Sequence, residues 1–279
     1  LGFDISIGAS GAQIPSKKDL INISELGLSN YLTSNKPTTP SFSGPNNGAI
    51  FQVTRNIEGQ NVTASFTAPG GINLPTNLVP APAVQIGLGL PGKLDAMVRF
   101  VPNIKFGQEQ DDSSLNMFGV GLKKEITSWF GLIDKTPLHV SILAAYTSMK
   151  VSYGINDITS GPIRTENSLA EFDLNAFTLQ AIASLNFPFI NIYGGVGYNN
   201  GSSTFNMSGN YTGVFETGLS APNNTITQSL IVPANLDFNS NGIAATIGTR
   251  LSLGFFKIYG SYALQEYNTA NLGVAFSFR

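Results

Sequence analysis

Cysteine is absent from the 279 residues, histidine and tryptophan occur once each, and only 11% of positions are Asp, Glu, Lys or Arg. Without cysteine there are no disulfides, no thiolate metal sites and no cysteine nucleophile. A soluble domain carries about 25% charged residues, so the surface of this chain is either neutral-polar or not in water. The net charge of −2 provides no basic stripe to neutralise phosphates, and nucleic acid is excluded as a partner. No run approaches the roughly 18 consecutive apolar residues of a membrane helix. What the chain does have is 30 glycines, 19 phenylalanines and 9 tyrosines. A neutral, glycine- and aromatic-rich chain without a helical span leaves one way across a membrane, a closed β-barrel.

Period-two alternation runs through the whole length, the signature of half-buried strands. Phe3, Ile5, Ile7 and Ala9 share a face opposite Asp4, Ser6 and Gly8. Val84, Ile86, Leu88 and Leu90 oppose Gln85, Gly87 and Gly89. In "LDAMVRFVPNIKF" (94–106), Leu94, Ala96, Val98, Phe100, Ile104 and Phe106 oppose Asp95, Arg99, Asn103 and Lys105. Similar alternation covers 118–123, 140–146, 177–187, 190–199, 243–253, 256–265 and 272–278. That makes ten strands, and weaker ones at 49–56 and 61–68 bring the expected count to about twelve, within a range of 10–14. The polar faces hold Gly, Ser, Asn and Thr with single charges, as in a barrel interior, rather than the Lys and Glu of a soluble sandwich. The expected lumen charges are Asp4, Asp95, Arg99, Lys105, Lys123, Arg250 and Lys257.

Connections alternate in length. "PGK" (91–93), "FPF" around Pro188 and Gly254 are tight turns; 107–114, 154–168, 200–236 and 266–270 are longer and polar. Outer-membrane barrels alternate short periplasmic turns with long outer loops. Counting back from the end places the C-terminus in the periplasm. It also makes 11–47 an outer loop or inward plug, and 69–81 an outer loop. "EITSWFGLIDKTP" (125–137) is too long for a tight turn. Its Ile126, Trp129, Phe130 and Ile133 recur at helical spacing, as an amphipathic segment at the membrane interface would. The last strand, Leu272 to Phe278, is expected to seal the barrel against residues 2–10. The start at Leu1 is abrupt, and an upstream segment is expected to be missing from this single-domain chain (1–279).

Chemistry-bearing patterns are sparse. His139 and Ser141 share a strand face, a spacing that resembles the His–Ser pair of outer-membrane phospholipase barrels. Those enzymes follow the Ser with Asn-Gly, however, and here Ile142-Leu143 follows. "EQDD" (109–112) lacks the offsets of a carboxylate cation site, and "GLGLPG" (87–92) has no helix after it to make a phosphate loop. Catalytic, cofactor and metal sites are all expected to be absent.

"LGFDISIGASGAQIP", "PAVQIGLGLPGKLDAMVRFVPNIKFG" and "FGVGLKKEITSWF" together resemble an uncharacterised family of Bacteroidota outer-membrane barrel proteins, similar in outline to the FadL type of hydrophobic-compound channel with an N-terminal plug. The resemblance implies residence in the outer membrane among its lipids and lipopolysaccharide. Two non-enzymatic functions fit. One is porin-like transport of small or hydrophobic compounds. The other is an accessory subunit of a multiprotein outer-membrane machine, for protein export or barrel insertion, with a plugged lumen and other outer-membrane proteins or lipoproteins as partners.

Overall fold

The computed structural model describes residues 2–278 apart from 14, 16–18, 27, 29, 42–43, 58–59, 69, 71–77, 107–112, 156, 158–160, 162, 217–224 and 231–234. Ten strands close into an antiparallel barrel. In chain order, with β2–β6 and β13 left for the outlying sheets, they are β1 (Gly2–Gln13), β7 (Leu78–Leu90), β8 (Leu94–Phe106), β9 (Ser113–Glu125), β10 (Leu138–Ile155), β11 (Ile163–Asn186), β12 (Ile190–Glu216), β14 (Asn235–Leu253), β15 (Phe256–Leu264) and β16 (Thr269–Phe278). Sequence neighbours pair throughout, and the circle is completed by β1 with β16, Phe3 opposite Phe278 and Ile7 opposite Val274. The two ends of the chain are therefore neighbours, as the terminal alternation requires.

The remaining strands are not members of the ring. Between β1 and β7, β3 (Leu32–Ser34), β5 (Ile50–Ile57) and β6 (Gln60–Thr67) form one small sheet, and β2 (Leu20–Asn22) with β4 (Thr38–Pro40) forms another. The short strand β13 (Thr225–Leu230) pairs with the far end of β12. The two weak strands expected near 49–56 and 61–68 thus form the β5–β6 hairpin, but in a separate sheet that packs on β12. Ten strands rather than about twelve close the barrel. The hairpin's alternation is genuine, but alternation does not name the sheet a strand joins.

The register sets the barrel's shape. The paired series Ser252, Lys257, Ala275, Ser6, Gln85, Arg99, Gly119, Thr147, Ala176, Gly201, Ser240 makes one circuit and returns to β14 twelve residues from its start, from 252 to 240. With about 3.3 Å per residue and about 4.8 Å between strands, this stagger tilts the strands by about 40° and gives a backbone radius of about 10 Å.

One end carries tight turns. Pro91–Lys93 joins β7 to β8, residues 187–189 join β11 to β12, and Gly254-Phe255 joins β14 to β15. Gly254 has φ 68°, which the first position of a two-residue hairpin loop requires and glycine adopts without strain. At the same end a 3-10 segment, Thr127–Lys135, links β9 to β10. Its Trp129 is 69% exposed and Phe130 is also exposed, whereas Ile126 is buried. The side chain of Ile133 lies outside the description. The other end carries the longer links, and there β10, β11 and β12 run well past the rest of the wall. The stretch expected to be a loop at 200–236 is largely strand: β12 continues to Glu216 and β14 starts at Asn235.

Apolar residues form a continuous outer belt. The rows Phe3–Leu88, Ile86–Val98–Val120–Tyr146–Phe177 and Leu179–Tyr198–Ile243 follow the pairing from strand to strand. Phe118, Tyr146, Phe177 and Tyr198 mark its upper edge; Phe187, Phe189, Phe255 and Phe278 mark its lower edge, all exposed. Phe255 stacks on Phe276 and Phe278 with centroids 6.3 and 6.4 Å apart. Phe177 and Phe187 are ten positions apart, and at the tilt above that separation spans about 25 Å, the height of an outer-membrane barrel's apolar band.

One strand breaks the expected alternation. The pairing of β8 with β9 shifts between Val101 and Ile104, adding one residue to β8 at Pro102-Asn103. Such a bulge reverses the facing of everything beyond it. Ile104 therefore pairs with Leu115 on the inner side, and Lys105 pairs with Ser114 on the outer side. Lys105 is not a lumen residue.

Ile247 is 64% exposed in the middle of the belt. Ile247→Arg is expected to cost about 2–4 kcal/mol, measured by urea titration of the protein folded in phospholipid bilayers. The same exchange at polar Thr204, above the belt, should cost far less.

Candidate functional site: the barrel lumen

The polar faces point inward. Gln180 on β11 donates to Thr246 on β14 at 3.2 Å, and Asn199 on β12 to Gln265 beyond β15 at 3.1 Å. Both contacts skip a strand, as side chains do on the concave side of a curved sheet. Glycines make room for the larger neighbours. The Tyr259 ring lies across Gly273 and Gly8, and the Tyr193 ring lies across Gly248, so a Cβ at any of these glycines would collide with a tyrosine. Gln180 crosses Gly195 and Gly197 in the same way. A polar chain runs from Thr178 through Asn199 and Gln265 to Thr269, with contacts of 2.9, 3.1 and 3.0 Å.

Most of the charges expected in the lumen gather toward the tight-turn end. Lys123 pairs with Asp95 at 2.8 Å, with 33% and 45% of the side chains exposed. Lys257 is buried opposite Ala275 and Ser252. Asp4 lies between Gly87 and Ser277, and Arg250 between Asn191 and Tyr259. Among the described residues, neither has an ion-pair partner. Arg99, near mid-height, donates through Nε and Nη2 to Gln85 Oε1 at 3.2 and 3.0 Å.

Glu125 is a charge that the alternation did not single out. Its Oε1 accepts from Lys93 Nζ at 3.0 Å and lies 3.3 Å from His139 Nδ1. The 12-residue link 126–137 hides the pairing of β9 with β10 from any local pattern. Ser141 sits opposite Glu125 and is buried, but no hydrogen bond joins it to His139 among the described residues. His139 therefore lies against Glu125 at the rim, and no serine–histidine contact of the kind nucleophilic catalysis needs is made among the described residues. No group of His, Cys, Asp or Glu among the described residues could hold a metal ion. "EQDD" (109–112) lies outside the described residues.

Above the belt the two faces exchange chemistry. The outer rows become polar: Asn116–Lys150–Asp173–Thr204–Asp237 and Lys105–Ser114–Ser152–Glu171–Asn206, with Lys150 bonded to Glu171 at 2.7 Å. The inner rows become apolar: Ile104–Leu115–Val151–Phe172–Phe205–Leu236 and Val101–Met117–Met149–Leu174–Ser203–Phe238. The inner face is thus lined by polar and partly charged rows below and by apolar rows above.

Gly273→Ala should destabilise the barrel by about 1–3 kcal/mol through overpacking against Tyr259, as read from urea midpoints. Adding Tyr259→Ala should recover part of that cost, the remainder coming from the Ile7 carbonyl oxygen, which the added Cβ would approach to 2.7 Å. Asp95→Ala should cost no more than about 1 kcal/mol, because its ion pair is solvent-screened.

Comparison with curated proteins yields no match. Among solved structures, the chain is similar to Ail, the attachment invasion locus protein of Yersinia pestis, at 10% identity and TM-score 0.33, covering 99% of this chain and 98% of that one. It is also similar to the translocator domain of the autotransporter NalP from Neisseria meningitidis, at 9% identity and TM-score 0.38, covering 100% and 88%. Likenesses this distant carry no argument, and the membrane reading rests on the barrel's own belt and girdles. A family model matches residues 1–278, and the chain belongs to that family, a family of unknown function (DUF6588).

Proposed function

We propose that this protein is a non-enzymatic channel of the bacterial outer membrane for small or hydrophobic compounds. In this reading the long-loop end faces outward, the C-terminus lies in the periplasm, and lipid and lipopolysaccharide surround the belt. The observation that carries it is the change of lining along the axis. The upper inner wall between Val101 and Phe238 is apolar, while the passage below holds Arg99, the Asp95–Lys123 pair and Arg250. A compound with apolar surface is concentrated at the mouth by burial against Leu115, Val151 and Phe172. Polar groups below then accept it through hydrogen bonds in place of water. The lumen-facing glycines at 119 and 121 add no side chain of their own to the bore.

Two measurements test the proposal. Protein folded into planar bilayers should give small unitary currents, and proteoliposomes should take up a fluorescent fatty acid faster than protein-free vesicles. A barrel with heat-dependent gel mobility that passes neither current nor fatty acid would overturn the channel reading and favour the accessory-subunit one. Bases outnumber carboxylates among the described lumen residues, so the current should be weakly anion-selective, and Arg99→Glu should shift the reversal potential toward cations.

A further inference from the structure

The wall above the belt is an open sheet from β8 to β14, and its two edges differ. At the β8 edge, pairing with β7 stops at Val84 opposite Phe100. Beyond that point β8 carries Pro102, a bulge and Lys105, and the facing stretch of β7 carries Pro80 and Pro82. Proline, bulges and lysine are the devices that protect a strand edge from pairing.

The β14 edge has none of these devices. The β15–β16 hairpin ends its pairing at Leu264 opposite Ala245, so Asn235–Ala244 pair with β12 alone. That stretch has no proline, lysine, arginine or register shift. Residues 236–243 are all exposed, with Leu236 at 49%, Phe238 at 53% and Ile243 at 78%. Ser252 N–H donates to the β12 side. By alternation the odd positions, Asp237, Asn239, Asn241 and Ile243, direct their N–H and C=O groups to the free side. None of the four has a further partner on that side among the described residues. Tyr198 lies opposite Ile243 at the upper girdle, so the edge rises out of the membrane into water.

We propose that this free edge of β14 is a docking strand, to which an extended segment of a partner protein adds by main-chain hydrogen bonding. The chemistry of the segment follows from the edge. On the inner side it meets Leu236 and Phe238, which call for apolar residues at alternate positions. On the outer side it meets Asp237, and no base lies between 235 and 249. Basic residues therefore suit the intervening positions. A second copy of this chain fits poorly. Two barrels related by an axis along the membrane normal would bring their β14 strands together in the same direction, the weaker pairing. The inference does not depend on the lumen conducting.

The probe is a synthetic peptide of about ten residues alternating valine and lysine, with a valine–glutamate peptide as control, added to folded protein in zwitterionic detergent. Binding is followed by fluorescence anisotropy, and the contact by hydrogen exchange. In the free protein the amides of Asp237, Asn239, Asn241 and Ile243 should exchange quickly and those of Phe238, Ser240 and Gly242 slowly. Saturating peptide should protect the odd set. Asn239→Pro with Asn241→Pro should weaken binding by about tenfold or more through two lost main-chain bonds. Asp237→Lys, a surface change that leaves the ladder intact, should weaken the lysine peptide and spare the control. Odd amides already protected without peptide, no saturable binding, or affinity unchanged in both the proline and the Asp237→Lys proteins would each overturn the proposal. Loss of binding with unaltered bilayer currents would separate it from the channel reading.

Discussion

Within lipid, every backbone N–H and C=O must find its partner inside the sheet, because no water is there to receive it. This constraint obliges β1 to meet β16 and the two ends of the chain to become neighbours. Once the ring is closed, the stagger of its register sets strand tilt and bore together. The tilt in turn fixes how many residues cross the apolar band, and so where the aromatic girdles sit. Above the band water returns and closure is no longer compulsory. There the wall opens at β7–β8 and at β14–β15, and the strands beyond are free to form an open sheet.

The lumen answers a packing constraint of the same origin. A ten-stranded ring is too narrow for a large side chain at every inward position. Tyrosines at 193 and 259 lie flat over glycines on the next strands, filling space and leaving a polar edge to face water. Charges are held mainly near the tight-turn end, where Lys123 pairs with Asp95 and Lys93 with Glu125. At the opposite end the inner wall is apolar, since it no longer stands opposite a lipid-facing surface but acts as the interior of a water-exposed sheet.

Much of the barrel was legible locally. The faces of β1, β7, β9, β11, β15 and β16 follow from period-two patterns of six or more residues, and the tight turns from Gly254, Pro188 and "PGK". The failures share one cause. Lys105 changed sides because a single bulged residue at Pro102-Asn103 reverses everything after it, and a short window does not separate a bulge from a continuing strand. Residues 200–212 read as loop because their outward positions are Asn, Ser and Thr, the side chains that also suit turns. Glu125 escaped notice because its partner His139 lies across a link of irregular length. The β5–β6 hairpin was recognised as two strands and assigned to the wrong sheet.

The sequence by itself determined that the chain alternates, that it lacks a membrane helix, and that its last strand presents Leu272, Val274, Phe276 and Phe278 on one face. These properties are local, written in side-chain order over a few residues. Only the tertiary structure decided whether a given face meets lipid, lumen or water. That depends on height along the barrel axis, and height is the sum of register shifts accumulated around ten strands. The alternation of β12 keeps one phase from Ile190 past Phe205, yet its outward face passes from lipid to water near Tyr198 and its inward face from polar to apolar. No residue on that strand marks the crossing alone; it is set by where the neighbouring strands place the belt.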